Sequence, residues 1–117
     1  MAQKLKINAK PTFSAPVVLR LAADNGEVQD VPFTAIFRRV KGSEANAMQA
    51  QLEARQLKDS ELLDKVLAGW EGLEAEDGTP FHFTPENRAA AREDWPTFEA
   101  AIVFAYFKHQ DAAVVKN

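Results

Sequence analysis

The histidine side chains are the first candidates for catalytic chemistry in this 117-residue chain. The commonest acid–base and nucleophilic sites place a histidine beside a hydroxyl or carboxylate group. His82 and His109 are far apart in the sequence, and G-x-S-x-G, HExxH and glycine-rich phosphate motifs are missing. His82 stands between two phenylalanines, so in an extended segment its side chain points away from theirs. We therefore expect no catalytic site, no cofactor and no enzymatic activity.

An acidic turn at Glu74, Glu76 and Asp77 could in principle bind a cation. A calcium loop needs more oxygen ligands at regular spacing. The chain has no cysteine, so it has no thiolate ligand and no disulfide. The pattern favours a solvated turn without a metal.

A basic cluster at Arg38, Arg39 and Lys41 could contact nucleic acid. No recognised nucleic-acid-binding motif surrounds it, and the whole chain carries a net charge of -3. Basic residues at a strand end also serve to discourage edge-to-edge pairing. Nucleic-acid binding is therefore the less favoured interpretation of this cluster.

The charge is unevenly divided along the chain. Residues 1–58 carry +4 and residues 59–117 carry -7, which suits head-to-tail self-association but also suits two solvated halves. No stretch approaches the roughly 20 apolar residues of a membrane span. The N-terminal lysines are followed by no apolar segment, so we expect no signal peptide and a cytoplasmic protein.

Strand signals dominate the first third of the sequence. Residues 15–23 alternate between apolar and polar positions, and Asp24-Asn25-Gly26 is typical of a tight turn. A second strand is predicted over residues 27–40, with an edge or bulge at Pro32. Residues 3–8 could add a third strand.

Helix signals follow from Gly42 onward. A surface helix is predicted over residues 44–57, and a second helix over residues 62–73 on the spacing of its apolar residues. Thr84-Pro85-Glu86 predicts the start of a short third helix. Pro96 precedes a final helix that we expect to end at Gln110.

Together these elements predict an α+β fold in which an N-terminal antiparallel β-hairpin of two or three strands packs on a C-terminal bundle of about four helices. We expect a single domain over residues 1–117. It comprises a hairpin region at 1–41, a helical region at 42–110 and a frayed tail at 111–117.

The aromatic residues provide the remaining candidates for function. Eight of the eleven aromatic residues lie between Trp70 and Phe107. Trp70, Phe81 and Phe83 are predicted to form a structural corner where the helical part folds back. The final helix is apolar around most of its circumference, so we expect a protein-binding surface there, formed by Phe98, Ile102, Phe104, Tyr106 and Phe107. Phe104 and Phe107 lie beside its main face and are the best candidates for exposure.

Four features in this order resemble the tail assembly chaperones of long-tailed, non-contractile bacteriophages and their prophages. The first two are an opening strand with Pro11-Thr12-Phe13 and Val17-Val18-Leu19, and a second strand from Phe33-Thr34 to Arg38-Arg39. The most specific is Ala68-Gly69-Trp70-Glu71-Gly72-Leu73 followed by Pro80-Phe81-His82-Phe83-Thr84-Pro85-Glu86-Asn87. The last is Trp95-Pro96-Thr97 leading into the final helix. The likeness covers nearly the whole chain.

The resemblance implies a non-enzymatic cytoplasmic factor that coats the tape-measure protein, keeps it soluble and helps to recruit tail-tube subunits. It also implies absence from the mature virion, and a longer form made by ribosomal frameshifting near Lys116-Asn117. Two alternatives stay open. One is a small structural tail component of the tail-tube or terminator type, and the other is a prophage regulator that binds nucleic acid.

Overall fold

A computed structural model describes residues 11–115, with side chains up to residue 109. Within this part of the chain, three strands and four helices follow one another. They are β1 (Thr12–Ala22), β2 (Val28–Arg38), α1 (Gly42–Glu53), α2 (Asp59–Val66), β3 (Leu67–Glu71), α3 (Pro85–Asp94) and α4 (Phe98–Val115). The predicted α+β class is confirmed. The strand suggested for residues 3–8 lies outside the described residues.

The first two strands form the predicted antiparallel hairpin. Their register runs from Thr12 opposite Arg38 to Ala22 opposite Val28. In the connecting turn the Ala23 N–H donates to the Glu27 carbonyl at 2.7 Å, and Gly26 has a φ of +84° that other residues rarely adopt. The turn signal in the sequence therefore marked the hairpin correctly.

The third strand comes from the segment that was predicted to end a helix. Helix α2 ends at Val66, and Leu67–Glu71 (β3) pairs antiparallel with Thr34–Phe37 of β2. The strand order is β1-β2-β3, so β2 is the central strand. The prediction of one helix over residues 62–73 is therefore wrong beyond Val66. A short apolar run fits the periodicity of a helix and that of a strand. Here Gly69 disfavours a helix by about 1 kcal/mol. The strand conformation also provides hydrogen-bond partners for backbone groups of β2.

Pairing with β3 is confined to one half of β2. Pro32 lies beyond this half, opposite Val18 of β1, so among the described residues it has no strand on its other side. A proline that lacks an N–H is tolerated at such an edge. The edge predicted at Pro32 is confirmed.

The last two helices begin close to where the sequence signals placed them. The Thr84 hydroxyl accepts a hydrogen bond from the Asn87 N–H at 3.0 Å, and Pro85 occupies the first turn of α3. Helix α4 continues to Val115, five residues beyond the predicted end at Gln110. The backbone up to Val115 is therefore helical where a frayed tail was expected.

The core lies between one face of the sheet and helices α2 and α4. The sheet contributes alternate residues of its two long strands, and the helices contribute side chains one turn apart; these are Ala15, Val17, Leu19, Phe33, Ala35, Phe37, Leu62, Leu63, Val66, Phe98, Ile102 and Tyr106. Helix α1 buries only Ala45 and Met48. Among the described residues, no helix is both long and apolar enough to cross a bilayer.

Candidate protein-binding surface

The side chains that could do chemistry do not converge. His82 is exposed, and its carbonyl accepts a hydrogen bond from the Asn87 side-chain amide at 2.8 Å. His109 is half-buried on α4. No three histidine or carboxylate groups come close enough to hold a metal ion within the described part of the chain.

One carboxylate of the acidic turn, that of Asp77, is hydrogen-bonded within the turn. Oδ1 of Asp77 accepts hydrogen bonds from the Thr79 hydroxyl at 2.6 Å and from the Thr79 N–H at 3.0 Å. These bonds, led by that from the hydroxyl, hold the pKa of Asp77 below its usual value. The arrangement is that of a hydrogen-bonded turn, with Gly78 at a φ of +84°.

The basic cluster is partly committed to structural contacts. Nη1 of Arg38 donates to the Leu67 carbonyl at 2.9 Å and so fixes the first residue of β3 against β2. The guanidinium of Arg39 lies 5.3 Å from the ring centroid of Phe13, within the range of a cation–π contact. Two of the three basic residues that were considered for nucleic-acid contact therefore make contacts within the fold.

Trp70 is the centre of an aromatic cluster. Its ring stacks on Phe81 at 6.0 Å and meets Phe83 edge-on at 4.9 Å. Its indole Nε1–H donates to the Phe81 carbonyl at 2.7 Å, and its ring also meets Phe98 of α4 edge-on at 5.4 Å. These contacts join β3, the segment before α3 and the start of α4, and they bring Trp70, Phe81 and Phe83 together.

Helix α4 divides the five residues predicted for binding into two groups. Phe98, Ile102 and Tyr106 are fully buried in the core. Phe107 is half-buried with its ring 5.0 Å from that of Tyr106. Phe104 is 68% exposed. A binding surface on the folded chain can therefore use Phe104, whereas the three core residues hold the helix in place.

A buried carboxylate on α4 ties three helices together. Glu99 is 7% exposed and accepts hydrogen bonds from Nε of Arg88 at 3.1 Å and from Nε of Arg92 at 2.8 Å. Arg88 also pairs with Asp64 and donates to the Ser60 carbonyl, both on α2. The hydrogen bond to Glu99 raises the pKa of Arg92. This network joins α2, α3 and α4 beside the core.

Next to Phe104, a shallow groove runs between the outer edge of β1 and α4. We call it the β1–α4 groove; its lining residues are Pro16, Val17, Val18, Arg20, Ala101, Phe104, Ala105, Lys108 and His109. Val18 is 50% exposed on the face of β1 that points away from the core, and Phe104 is exposed on α4, so the groove lies along the strand edge between them. Nζ of Lys108 lies 5.9 Å from the centroid of the Phe104 ring. The groove is thus apolar with basic groups on both walls.

Sequence reasoning placed Phe104 on the surface but missed the strand side of the groove. A signal was present in Val18, an apolar residue at a position whose strand neighbours on the same face are polar or proline. A second signal was Glu99, an acidic residue among the core positions of α4, which required buried cationic partners. Neither signal identifies the surface without the packing of α4 against β1.

Comparison with known proteins assigns the chain to a family. The family model described as phage tail assembly chaperone matches residues 1–117, which is the whole chain. The chain therefore belongs to the phage tail assembly chaperone family. No curated protein and no solved structure matches it.

Proposed function

We propose that this protein binds the tape-measure protein of a phage tail, keeps it soluble before assembly and helps to recruit tail-tube subunits. Membership of the tail assembly chaperone family carries the proposal. The activity is non-enzymatic and consists of protein–protein contact. In this role the protein acts in the cytoplasm of the bacterial host and is left out of the mature virion.

The exposed apolar side chains support this role. A tape-measure protein outside its tube presents long helical apolar stripes, and a factor that shields them needs an apolar surface of its own. Phe104 and Val18, which line the same groove, provide exposed apolar surface of this kind. Because the tube must later displace the chaperone, a small and partly polar contact suits the task better than an obligate interface.

The two alternatives have weaker support. A tail-tube or terminator protein would itself be part of the virion, whereas the matching family is one of assembly chaperones. A nucleic-acid-binding role would depend on Arg38, Arg39 and Lys41, of which the first two contact Leu67 and Phe13. A longer form made by frameshifting near Lys116-Asn117 stays a prediction that the coding DNA can test.

Co-expression with the tape-measure protein of the same phage tests the proposal. We expect the tape-measure protein to remain in the soluble fraction when this chain is present, to precipitate with an empty vector, and to co-purify with the tagged chain. Adding the tail-tube protein should then release this chain. A tape-measure protein that stays insoluble beside a folded, soluble chain would contradict the proposal.

A further inference from the structure

We propose that the β1–α4 groove binds a single amphipathic helix of the tape-measure protein, one whose apolar stripe is bordered by acidic side chains. The inference rests on the proposed function and adds the place of contact, the conformation of the bound segment and its charge. Three features of the groove carry it, namely its exposed apolar side chains, the sign of its charges and the blocked edge of its strand.

The groove concentrates exposed apolar surface. Three large hydrophobic side chains are exposed among the described residues, and two of them, Val18 and Phe104, line this groove. The third, Val28, lies at the far end of the hairpin. Pro16 and Ala101 extend the apolar lining between them. A groove of this kind accepts one face of a helix through side chains spaced three or four residues apart.

The charges of the groove select an acidic partner. Its lining includes Arg20 on the strand side and Lys108 on the helix side, and it includes no aspartate or glutamate. Asp30 pairs with Arg20 at 3.6 Å, but both side chains are largely exposed, so this pair is weak. On a chain of net charge -3, the groove is thus a local basic site.

The edge of β1 favours a helix over an added strand. At the two ends of the hairpin, the hydrogen bonds between the strands join odd-numbered residues. The Arg39 N–H donates to the Pro11 carbonyl, and the Ala23 N–H donates to the Glu27 carbonyl. Bonded and non-bonded pairs alternate in an antiparallel ladder, so even-numbered positions of β1 direct their backbone groups outward. Pro16 is such a position and has no N–H to offer, which blocks strand addition at the middle of the edge.

Two other occupants of the groove have to be considered, namely residues 1–10 of the same chain and a second copy of the chain. Residues 1–10 carry Lys4, Lys6 and Lys10 and no acidic residue, so they have the same positive sign of charge as the groove and are repelled by it. A second copy of the chain could present its acidic half to the groove. Measuring the mass of the protein in solution distinguishes this case, because it would produce a dimer. The acidic helix of the partner fits both the apolar lining and the basic walls.

The test uses fluorescein-labelled helical peptides of roughly 20 residues, a length at which an isolated helix is sufficiently stable. One peptide carries a leucine stripe bordered by glutamates, and its matched control carries the same stripe bordered by lysines. A third peptide of alternating valine and glutamate presents a strand. We expect fluorescence anisotropy to detect tight binding of the glutamate-bordered helix alone, with an affinity that falls as salt is added.

Three variants of the full chain locate the contact. Phe104→Ala should weaken binding of the glutamate-bordered helix by about 10-fold or more, as for a buried aromatic anchor. Lys108→Glu should weaken it too and should improve binding of the lysine-bordered helix. Val28→Ala is the control, because Val28 is exposed to the same extent as Phe104, 68%, but lies outside the groove; its affinity should not change.

Several outcomes would overturn the inference. These are equal binding of the acidic and basic helices, preferential binding of the strand peptide, or unchanged affinity in the Phe104→Ala variant. A wild-type chain that dimerises, with a dimer abolished by Phe104→Ala, would assign the groove to a second copy instead. If tape-measure protein stays soluble with Phe104→Ala, the groove is wrong while the proposed function stands; failure with the wild-type chain is failure of the function itself.

Discussion

The hydroxyl group of Tyr106 is buried without a hydrogen-bond partner among the described residues. Its ring packs between Phe13 and Phe37 of the sheet and Phe107 of α4. Burial, with a smaller contribution from the charge of Glu44, raises the pKa of Tyr106 to about 12. The folded chain therefore favours the neutral phenol over the phenolate.

This burial predicts a loss of stability at alkaline pH. The folded-state pKa lies above the ordinary value of about 10. The contribution of the neutral phenol is therefore fully present below pH about 10 and is lost as the pH rises toward about 12. Tyr106 is the single tyrosine of the chain, so tyrosinate absorbance follows it alone. Urea unfolding across this range should show a steeper decline for the wild type than for Tyr106→Phe.

The comparison with Tyr106→Phe also removes the effect of the lysines, which titrate in the same range. Because the substitution deletes a hydroxyl that lacks a partner, it should leave the free energy of unfolding at neutral pH unchanged or raise it by about 1 kcal/mol. Titration of Tyr106 near pH 10 in a chain that is still folded would contradict its burial.

At the level of single residues, the sequence predicted the aromatic cluster and the exposure of Phe104. It also expected Phe107 to be exposed, although Phe107 is half-buried, and it counted the core residues Phe98, Ile102 and Tyr106 as binding residues, because a helix that is apolar around most of its circumference has no clear outer face. The sheet determines which side of α4 is buried, because its inner face covers the side that carries Phe98, Ile102 and Tyr106.

Among the elements, α2, α3 and α4 are joined beside the core by one network of charged side chains around Glu99. Glu99→Gln should lower the free energy of unfolding by about 2 to 3 kcal/mol, because it leaves the arginines beside the core with less compensating charge. Asp64→Asn is the matched control: its carboxylate also contacts Arg88 but is 64% exposed, so the loss should be below about 1 kcal/mol.

Urea unfolding of the two variants measures this difference, and both should keep the circular dichroism spectrum of the wild type before unfolding. Equal losses for Glu99→Gln and Asp64→Asn would mean that burial of Glu99 does not determine the strength of the network.

The element boundaries were predictable from local chemistry wherever a turn or cap decided them. The hairpin turn and the start of α3 follow from residues with specific backbone preferences, such as Gly26 and Thr84. The strand at Leu67–Glu71 was missed because its conformation is decided by a distant partner, the half of β2 from Thr34 to Phe37. A periodicity taken along the chain contains no information on that pairing.

For the whole molecule, the division of charge predicts weak head-to-tail association. The +4 of residues 1–58 and the -7 of residues 59–117 attract between copies at low ionic strength and are screened at high salt. We expect the mass measured by light scattering to rise above 13.0 kDa with concentration at low salt, and to return to it in high salt. A mass that stays constant at both salt levels would show that the two halves are simply solvated.

The order of elements in the sequence also affects how the chain is made. Among the described elements, the strand that completes the sheet follows α1 and α2, and the helix that covers β1 comes last. A hairpin alone is only marginally stable, so a nascent chain on the ribosome keeps the apolar face of its sheet uncovered until α4 has been synthesised. Translation that stops before α4 therefore yields a product that itself needs protection from aggregation.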